Sequence, residues 1–399
     1  MLYINDIGGD AIRLHIKSWC DNPEQGAIDQ AVNLANLPFA FKHIALMPDV
    51  HQGYGMPIGG VLATEDVVIV NAIGVDIGCG VAALKTKWKT DEVSKEKLLL
   101  IKAEIEKVIP TGFSRHQLEN AERKHIMESI PLQGDCPVLE DHYNNAINSL
   151  GTLGSGNHFC EIQKDKDNFI WVMIHSGSRN LGYQIAKAYN AMAKEVNEQY
   201  YSVVNPKLDL AFLPIHSAVG MSYIREMEYC VEYARENRLL MMKNIMLSFK
   251  NILSEKYNFS LSGLIDVKHN YARIENHFGK NVMVHRKGAI SARKGEIGVI
   301  PGSMGTSSYI VKGLGNKDSF NSASHGAGRK MSRTKAKEDL DIDSEKKILD
   351  SQGIIHSINT VDDLDEAPSA YKSIDIVMEE QKDLVSIEHK LTPLMVIKG

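Results

Sequence analysis

Residues 44–84 read IALMPDVHQGYGMPIGGVLATEDVVIVNAIGVDIGCGVAAL. Short apolar runs, Gly59 to Ala63, Val67 to Val70 and Val81 to Leu84, alternate here with glycine-rich turns. Runs of this length, bounded by residues that bend the backbone, predict strands with functional loops between them. Residues 93–109 then switch to helical period: Leu98, Leu99, Ile101, Ile105 and Val108 lie mostly on one stripe, and Pro110 should stop the helix.

Two further apolar runs, Phe159 to Ile162 and Phe169 to Ile174, flank the polar turn at Lys164 to Asp167 and predict a hairpin. Patterns from Tyr183 to about Tyr200 and from about Ala218 to Leu253 repeat Met, Leu and Tyr at helical spacing and read as packing helices. Met242, Ile245 and Met246 belong to that core stripe. The block from Asp266 to Arg333 is strand-like and rich in Gly and Ser, a helix is expected at 369–382, and an apolar strand at Leu394 to Ile397 closes the chain. No internal repeat or Pro-rich linker divides the sequence. The expectation is an α+β fold in one domain over 1–399, with helical insertions near 90–150 and 183–255.

With 399 residues and 43% apolar composition the chain can bury a large core without staples. Its five cysteines (Cys20, Cys79, Cys136, Cys160, Cys230) are odd in number and scattered, which argues against a disulfide framework. Acids stand near the N-terminus where a signal peptide would be basic, and no apolar run is long enough to span a bilayer. These features predict a cytoplasmic protein with no membrane partner. A net charge of -5 excludes a protein that coats nucleic acid over its whole surface. Residues 286–337, however, carry eleven Lys and Arg against only Glu296 and Asp318, and their Gly and Ser content favours anion binding.

Asp76-Ile-Gly-Cys79-Gly places a carboxylate and a thiol three residues apart in a turn free to aim both at one point. Alone this is weak, because such an Asp is usually a turn-former and a lone Cys usually filler. His158, His175 and His269 lie at comparable positions beside strands or Gly-rich bends. Together the five would hold two metals with the thiolate as a bridge, a pair roughly 3.5–4 Å apart that suits phosphoryl transfer. These donors are compatible with manganese or zinc. His51 and His285 are expected to orient ligands or contact phosphate, and the other histidines outside the catalytic blocks read as structural. His325, in SASHGAGRKMSR (322–333), is set among small residues and cations. A neutral imidazole is a competent nucleophile, and flanking amides with Arg329 could hold a phosphate for its attack; the residues after it look like a helix start. Pro301 to Ser308 offers a second anion cradle.

These blocks, MPDVHQGYGMPIGGV, GVDIGCG, LGSGNHF-x-E, IHSGSRNLG, DVKHN, VHRKGA, PGSMGTSSYIV, SHGAGRKMSR and the terminal PLMVIKG, together resemble the RtcB RNA-splicing ligases over nearly the whole chain. The resemblance implies a single catalytic domain of mixed strands around a dinuclear manganese site with surrounding helices. By it, Asp76, Cys79 and His158 would hold one Mn2+, and Cys79, His175 and His269 the other. Asn157 and Glu161 would contact guanine nucleotide or metal-bound phosphate. His158, Phe159, Cys160, His269, Asn270, Pro301, Gly302, Ser303, Met304, Ser308, His325, Gly326, Ala327, Gly328 and Arg329 would line a GMP pocket that Lys398 reaches. The implied reaction is GTP-dependent: His325 attacks the α-phosphate, expels pyrophosphate, and passes GMP to an RNA 3'-phosphate that a 5'-hydroxyl end then attacks. A 2',3'-cyclic phosphate would first be opened by hydrolysis. RNA repair or tRNA splicing is the implied setting, and some members need an activator such as archease. Ser324 stands where some relatives have Cys, a small-for-small change.

Two other readings of the same residues are a two-metal phosphodiesterase in which His325 only binds phosphate, and a noncatalytic RNA-end binding protein. Covalent GMP separates the first from a ligase, and tolerance of His325→Ala marks the second.

Overall fold

The alternating runs become strands of two large sheets in the computed structural model, which describes residues 1–7, 10–117, 120–132, 134–200, 202–253 and 260–399. The seven-stranded sheet runs in the order Ile265–Lys268, Gly80–Lys89, Phe169–Ser176, Phe159–Lys164, Val385–Lys398, Ser308–Gly313 and Ile297–Ile300, with every pair antiparallel. The six-stranded sheet runs Leu2–Ile7, Asp10–Ser18, Ala40–His51, Ile58–Thr64, Lys280–Lys287 and Asn270–His277, with one parallel pair between its second and third strands. Helices surround these sheets, and the α+β class expected from the sequence is the one that forms.

The stripe at 93–109 becomes the Lys95–Val108 helix, capped by the Ser94 hydroxyl and ended by the extended Ile109 ahead of Pro110. Its Leu98, Ile101 and Ile105 join Met242, Ile245 and Met246 of the long Ala218–Ile252 helix and pack on Leu84, Ile162, Val172 and Ile174 of the seven-stranded sheet. A second core lies between the sheets, where Met47, Val61 and Ala63 meet Ile300, Tyr309 and Val311. The other helices along 90–200 are Ala121–Ser129, Pro137–Ser149 and Leu181–Gln199.

Two expectations near the C-terminus change. The helix over 369–382 shrinks to Ile374–Glu380, preceded by a 3-10 turn at Pro368–Ala370. Between them the Lys372 N–H donates to the Gly328 carbonyl at 2.9 Å, and Tyr371 bridges to Arg329, so pairing with another loop holds this stretch extended. The terminal strand lengthens to Val385–Lys398 because it has partners on both sides, Phe159–Lys164 and Ser308–Gly313.

Candidate active site

Asp76 and Cys79 sit on the loop that enters the Gly80–Lys89 strand. Gly78 has φ +77, and a Cβ there would lie 2.8 Å from the Cys230 carbonyl oxygen and from Val231 Cα, so a glycine lets this loop lie against the long helix. His158 directly precedes one strand of the 159–176 hairpin, and Phe159 is in register with His175 on the other. His269 stands where the chain passes from one sheet to the other, and its N–H donates to the Cys79 carbonyl at 2.9 Å.

Four elements therefore bring five donors together. Cys79 Sγ lies 3.4 Å from His158 Nε2 and 3.3 Å from His175 Nε2, and His175 Nε2 lies 3.4 Å from His269 Nε2. Asp76 Oδ2 is 3.0 Å from His158 Nε2. The donor atoms form two groups, Asp76–Cys79–His158 and Cys79–His175–His269, each within 4.8 Å and sharing Cys79. Behind them the buried Arg238 donates to the carbonyls of Gly78 and Ser176 at 3.0 and 2.9 Å, and Asp266 grips its other edge at 2.6 and 2.9 Å. One guanidinium thus fixes the main chain beside two of the donors.

The electrostatics of this cluster fit divalent cations. Burial pushes the Cys79 thiol well up, reinforced by the neighbouring Asp76 charge. Burial also pushes His175 and His269 well below the ordinary imidazole value, with neighbouring histidines adding to the effect. Burial opposes ionisation of Asp76 as well, but hydrogen bonding and charge from His158 hold its carboxyl low. The His158 Nδ1–H donates to the Leu153 carbonyl at 2.9 Å, which turns Nε2 toward Asp76 and the cluster. The imidazoles of His175 and His269, kept neutral by burial, with one carboxylate and a buried thiol make a donor set suited to cations.

His325 faces the same space from the six-stranded side, its ring centroid 4.7 Å from that of His269. Its Nδ1 is 2.7 Å from Oδ2 of Asp49, which also accepts the N–H groups of His325 and Gly326 at 3.0 and 3.3 Å. Burial works against the Asp49 charge, yet the His325 contact and the Lys372 charge hold its carboxyl below the usual range. Nδ1–H is thereby committed to Asp49, and Nε2 is the free nitrogen. Gly328 has φ +72, and a Cβ there would strike the Asp49 carbonyl at 2.3 Å, so a glycine turn closes the loop onto Asp49. No helix begins at His325; the next one is Arg333–Asp339, capped by Ser332. Gly326 and Gly328 turn the chain instead.

A cavity of about 630 Å³ joins these groups and is lined by Asp76, Asn157, Phe159, Glu161, His175, His269, Asn270, Pro301 to Met304, His325 to Arg329, Tyr371 and Lys398. Glu161 is buried with Oε2 accepting from Gln163 at 2.9 Å and Oε1 without a partner; burial pushes its carboxyl well up. At the far end buried Glu366 gathers Arg329 and Arg333 at 3.2 Å each, Lys398 at 3.7 Å, and the Tyr371 hydroxyl.

The family profile described as "tRNA-splicing ligase RtcB" matches residues 30–399. "RNA-splicing ligase RtcB" of Escherichia coli K12 is 37% identical over 405 residues, covering 96% of this chain and 97% of the relative. "tRNA-splicing ligase RtcB" of Thermococcus kodakarensis is 32% identical over 441 residues, covering 93% and 91%. "RNA-splicing ligase RtcB" of Mycobacterium tuberculosis is 30% identical over 436 residues, covering 93% of this chain and the whole of the relative. The chain belongs to the RtcB family.

Most residues that the RtcB resemblance singled out meet around this cavity, though not all face it. Cys79 and His158 stand behind its wall in the donor cluster. Cys160 points into the helix-packed core, since strand alternation sends Phe159 and Glu161 to the cavity and Cys160 the other way. Ser308 is buried beside it, linked to Gln163 and to the Gly302 N–H. Arg329 turns its guanidinium to Glu366 and to the carbonyls of Met331 and Asp365. Part of the basic 286–337 segment is committed to the protein's own carboxylates: Arg286 is fully buried on Glu275, and the half-exposed Arg293 pairs with the same carboxylate. His285 does not reach phosphate either; Ile69 N–H donates to its Nε2 at 3.0 Å and its Nδ1–H meets the Leu62 carbonyl at 3.2 Å, stitching the sheet. Sequence reading missed Asp49, whose signal was a carboxylate embedded in an apolar strand, and Glu366 with Tyr371, which carried no local signal.

Proposed function

We propose that this RtcB-family chain is a GTP-dependent RNA ligase that joins RNA 3'-phosphate or 2',3'-cyclic phosphate ends to 5'-hydroxyl ends through a GMP–His325 intermediate. The observation that carries the reading is the Asp49–His325 pair, which presents a free imidazole Nε2 to a cavity shared with the five-donor cluster. Asp76, Cys79 and His158 would hold one manganese ion, and Cys79, His175 and His269 a second. When bound, such ions would stabilise negative charge on the triphosphate and on the transferring phosphoryl oxygens.

The chain's own groups perform the rest. Asp49 fixes the His325 tautomer and supports positive charge on the ring as Nε2 bonds to the α-phosphorus of GTP and the bond to pyrophosphate breaks. The unpartnered Oε1 of Glu161 fits a purine edge that offers N–H donors. Tyr371, Phe159 and Lys398 lie on the same walls and can hold the nucleotide. The amides of Pro301 to Met304 and of Gly326 to Gly328 suit phosphate and ribose oxygens, a cradle that includes no proline N–H. GMP then passes from His325 to an RNA 3'-phosphate, and the 5'-hydroxyl of the second strand displaces it.

Incubation with manganese and GTP labelled at the α-phosphate, followed by denaturing electrophoresis, tests this. Wild type should retain label and a folded His325→Ala variant should not. An unlabelled, folded, metal-loaded wild type would favour a two-metal phosphodiesterase, whose substrate would be a 2',3'-cyclic phosphate, and assays with and without archease would exclude a missing activator.

A further inference from the structure

His51 is anchored by the same residue as His325, and the chemistry above gives it no task. It ends the Ala40–His51 strand, two residues beyond Asp49, and lines the same cavity as His325. Its Nδ1 lies 2.9 Å from the Asp49 carbonyl oxygen. A carbonyl only accepts, so Nδ1 carries the proton and Nε2 is the lone pair. Among the described residues Nε2 has no protein partner, and it is not among the buried polar atoms that lack one, so it is open to the cavity. Asp49 therefore presents two imidazoles in one tautomer: His325 through its carboxylate and His51 through its main chain.

The contrast with His285 is informative. Both are histidines of the six-stranded sheet, but His285 spends both nitrogens on main-chain groups, whereas His51 keeps one free. The loop after His51 is held rigidly for such a role. Gln30 exchanges two hydrogen bonds with Gly53, at 2.7 and 3.0 Å, and Glu24 accepts the Gln52 N–H. The same wall carries Lys287, whose Nζ donates, among the described residues, to the carbonyls of Tyr54 and Asn71, at 2.5 and 3.1 Å. Burial lowers Lys287 to about 7, and a phosphate beside it would favour the charged form.

We infer that His51 is a second catalytic imidazole, the general base that accepts the proton of the attacking 5'-hydroxyl, an assignment that rests on the ligase reading above. As the 5'-oxygen bonds to the phosphorus of the RNA 3'-phosphate, the bond from that phosphorus to the GMP oxygen breaks and its electron pair leaves with GMP. The hydroxyl proton passes to His51 Nε2 and from there to solvent. Burial keeps His51 neutral before substrate arrives, lowering it to about 4 despite the Asp49 contacts, with His325 and Lys372 adding to the effect. Anionic phosphates on the Lys287 wall raise its basicity when the strands are in place.

The test separates the steps, using the full chain with manganese. Covalent labelling by α-labelled GTP reports the His325 step. Single-turnover joining of an RNA whose 3'-phosphate already carries GMP to a 5'-hydroxyl strand reports the step assigned to His51. In His51→Gln and His51→Ala, joining of the preactivated RNA should fall about 100-fold or more, labelling should fall far less, and added imidazole should restore part of the His51→Ala joining rate. Wild-type joining by both variants would overturn the inference. So would an equal loss of both steps in folded protein, which would make His51 a support for Asp49. A wild type that neither labels nor joins would overturn the ligase reading and this inference with it.

Discussion

The two ends of the cavity solve opposite electrostatic problems. At one end Asp76, Cys79, His158, His175 and His269 crowd lone pairs and one carboxylate into one space, with Arg238 behind the loop and the Arg179 charge acting on Asp76. At the other end one buried carboxylate, Glu366, is surrounded by Arg329, Arg333 and Lys398. The first has donors that could hold cations, and the second is already neutralised by the protein. The difference teaches which end depends on a ligand for its integrity. Metal binding should stabilise the donor end, whereas the Glu366 end should stand without nucleotide.

Breaking the Asp49–His325 pair should have the largest effect. Asp49→Asn keeps the shape but removes the negative acceptor that sets the His325 tautomer, and labelling by GTP should slow by about 100-fold or more. A labelling time course on protein with unchanged thermal midpoint checks this; wild-type rates would remove Asp49 from the mechanism. Next, Cys79→Ala takes the donor common to both groups. Metal analysis after desalting should fall from two manganese ions per chain to one or none, and manganese should no longer raise the melting midpoint.

The Glu366 end should respond in stability instead. Glu366→Ala leaves three cations without their shared carboxylate and should cost about 3 kcal/mol or more in a denaturant titration, while manganese content stays unchanged. Loss of metal from that variant would mean the two ends are coupled. The smallest effect lies outside the cavity. Burial lowers His285 to about 4, with its main-chain contacts opposing. Below about 6.5 the unfolded chain takes up a proton that the folded chain refuses, so stability is lost as pH falls from about 6.5 toward 4. The contribution should be about 1–2 kcal/mol at pH 5, and His285→Gln should flatten that part of the stability–pH curve. An unaltered curve would place the pH dependence elsewhere.

Much of the site is legible in local sequence because its donors occupy strand ends and glycine turns. GVDIGCG (74–80) shows its own bend, and the 159–176 hairpin follows from two apolar runs around a polar turn. The cavity-facing parity of Phe159 and Glu161, and the core-facing parity of Cys160, also follow from strand alternation once the strand is placed. Asp49 was harder to see, since its partner His325 is 276 residues away and nothing near Asp49 advertises an imidazole. Arg329 shows the reverse: beside a nucleophile in sequence it reads as a phosphate ligand, and only the fold shows that its guanidinium pairs with Glu366, far along the chain. The helix expected after His325 failed for a similar reason, because Gly328 there serves close packing on Asp49.

By itself the sequence determined the α+β class, most strand and helix positions, five candidate donor residues and the family, because periodicity, turn residues and contiguous motifs are local properties of the chain. Tertiary structure alone decided which lone pairs face one another, which of the basic residues 286–337 are neutralised internally, and that Asp49 anchors two imidazoles at once. Those outcomes depend on distances and burial among segments remote in sequence, and charge pairing and tautomer choice are set by what packing brings within about 3 Å.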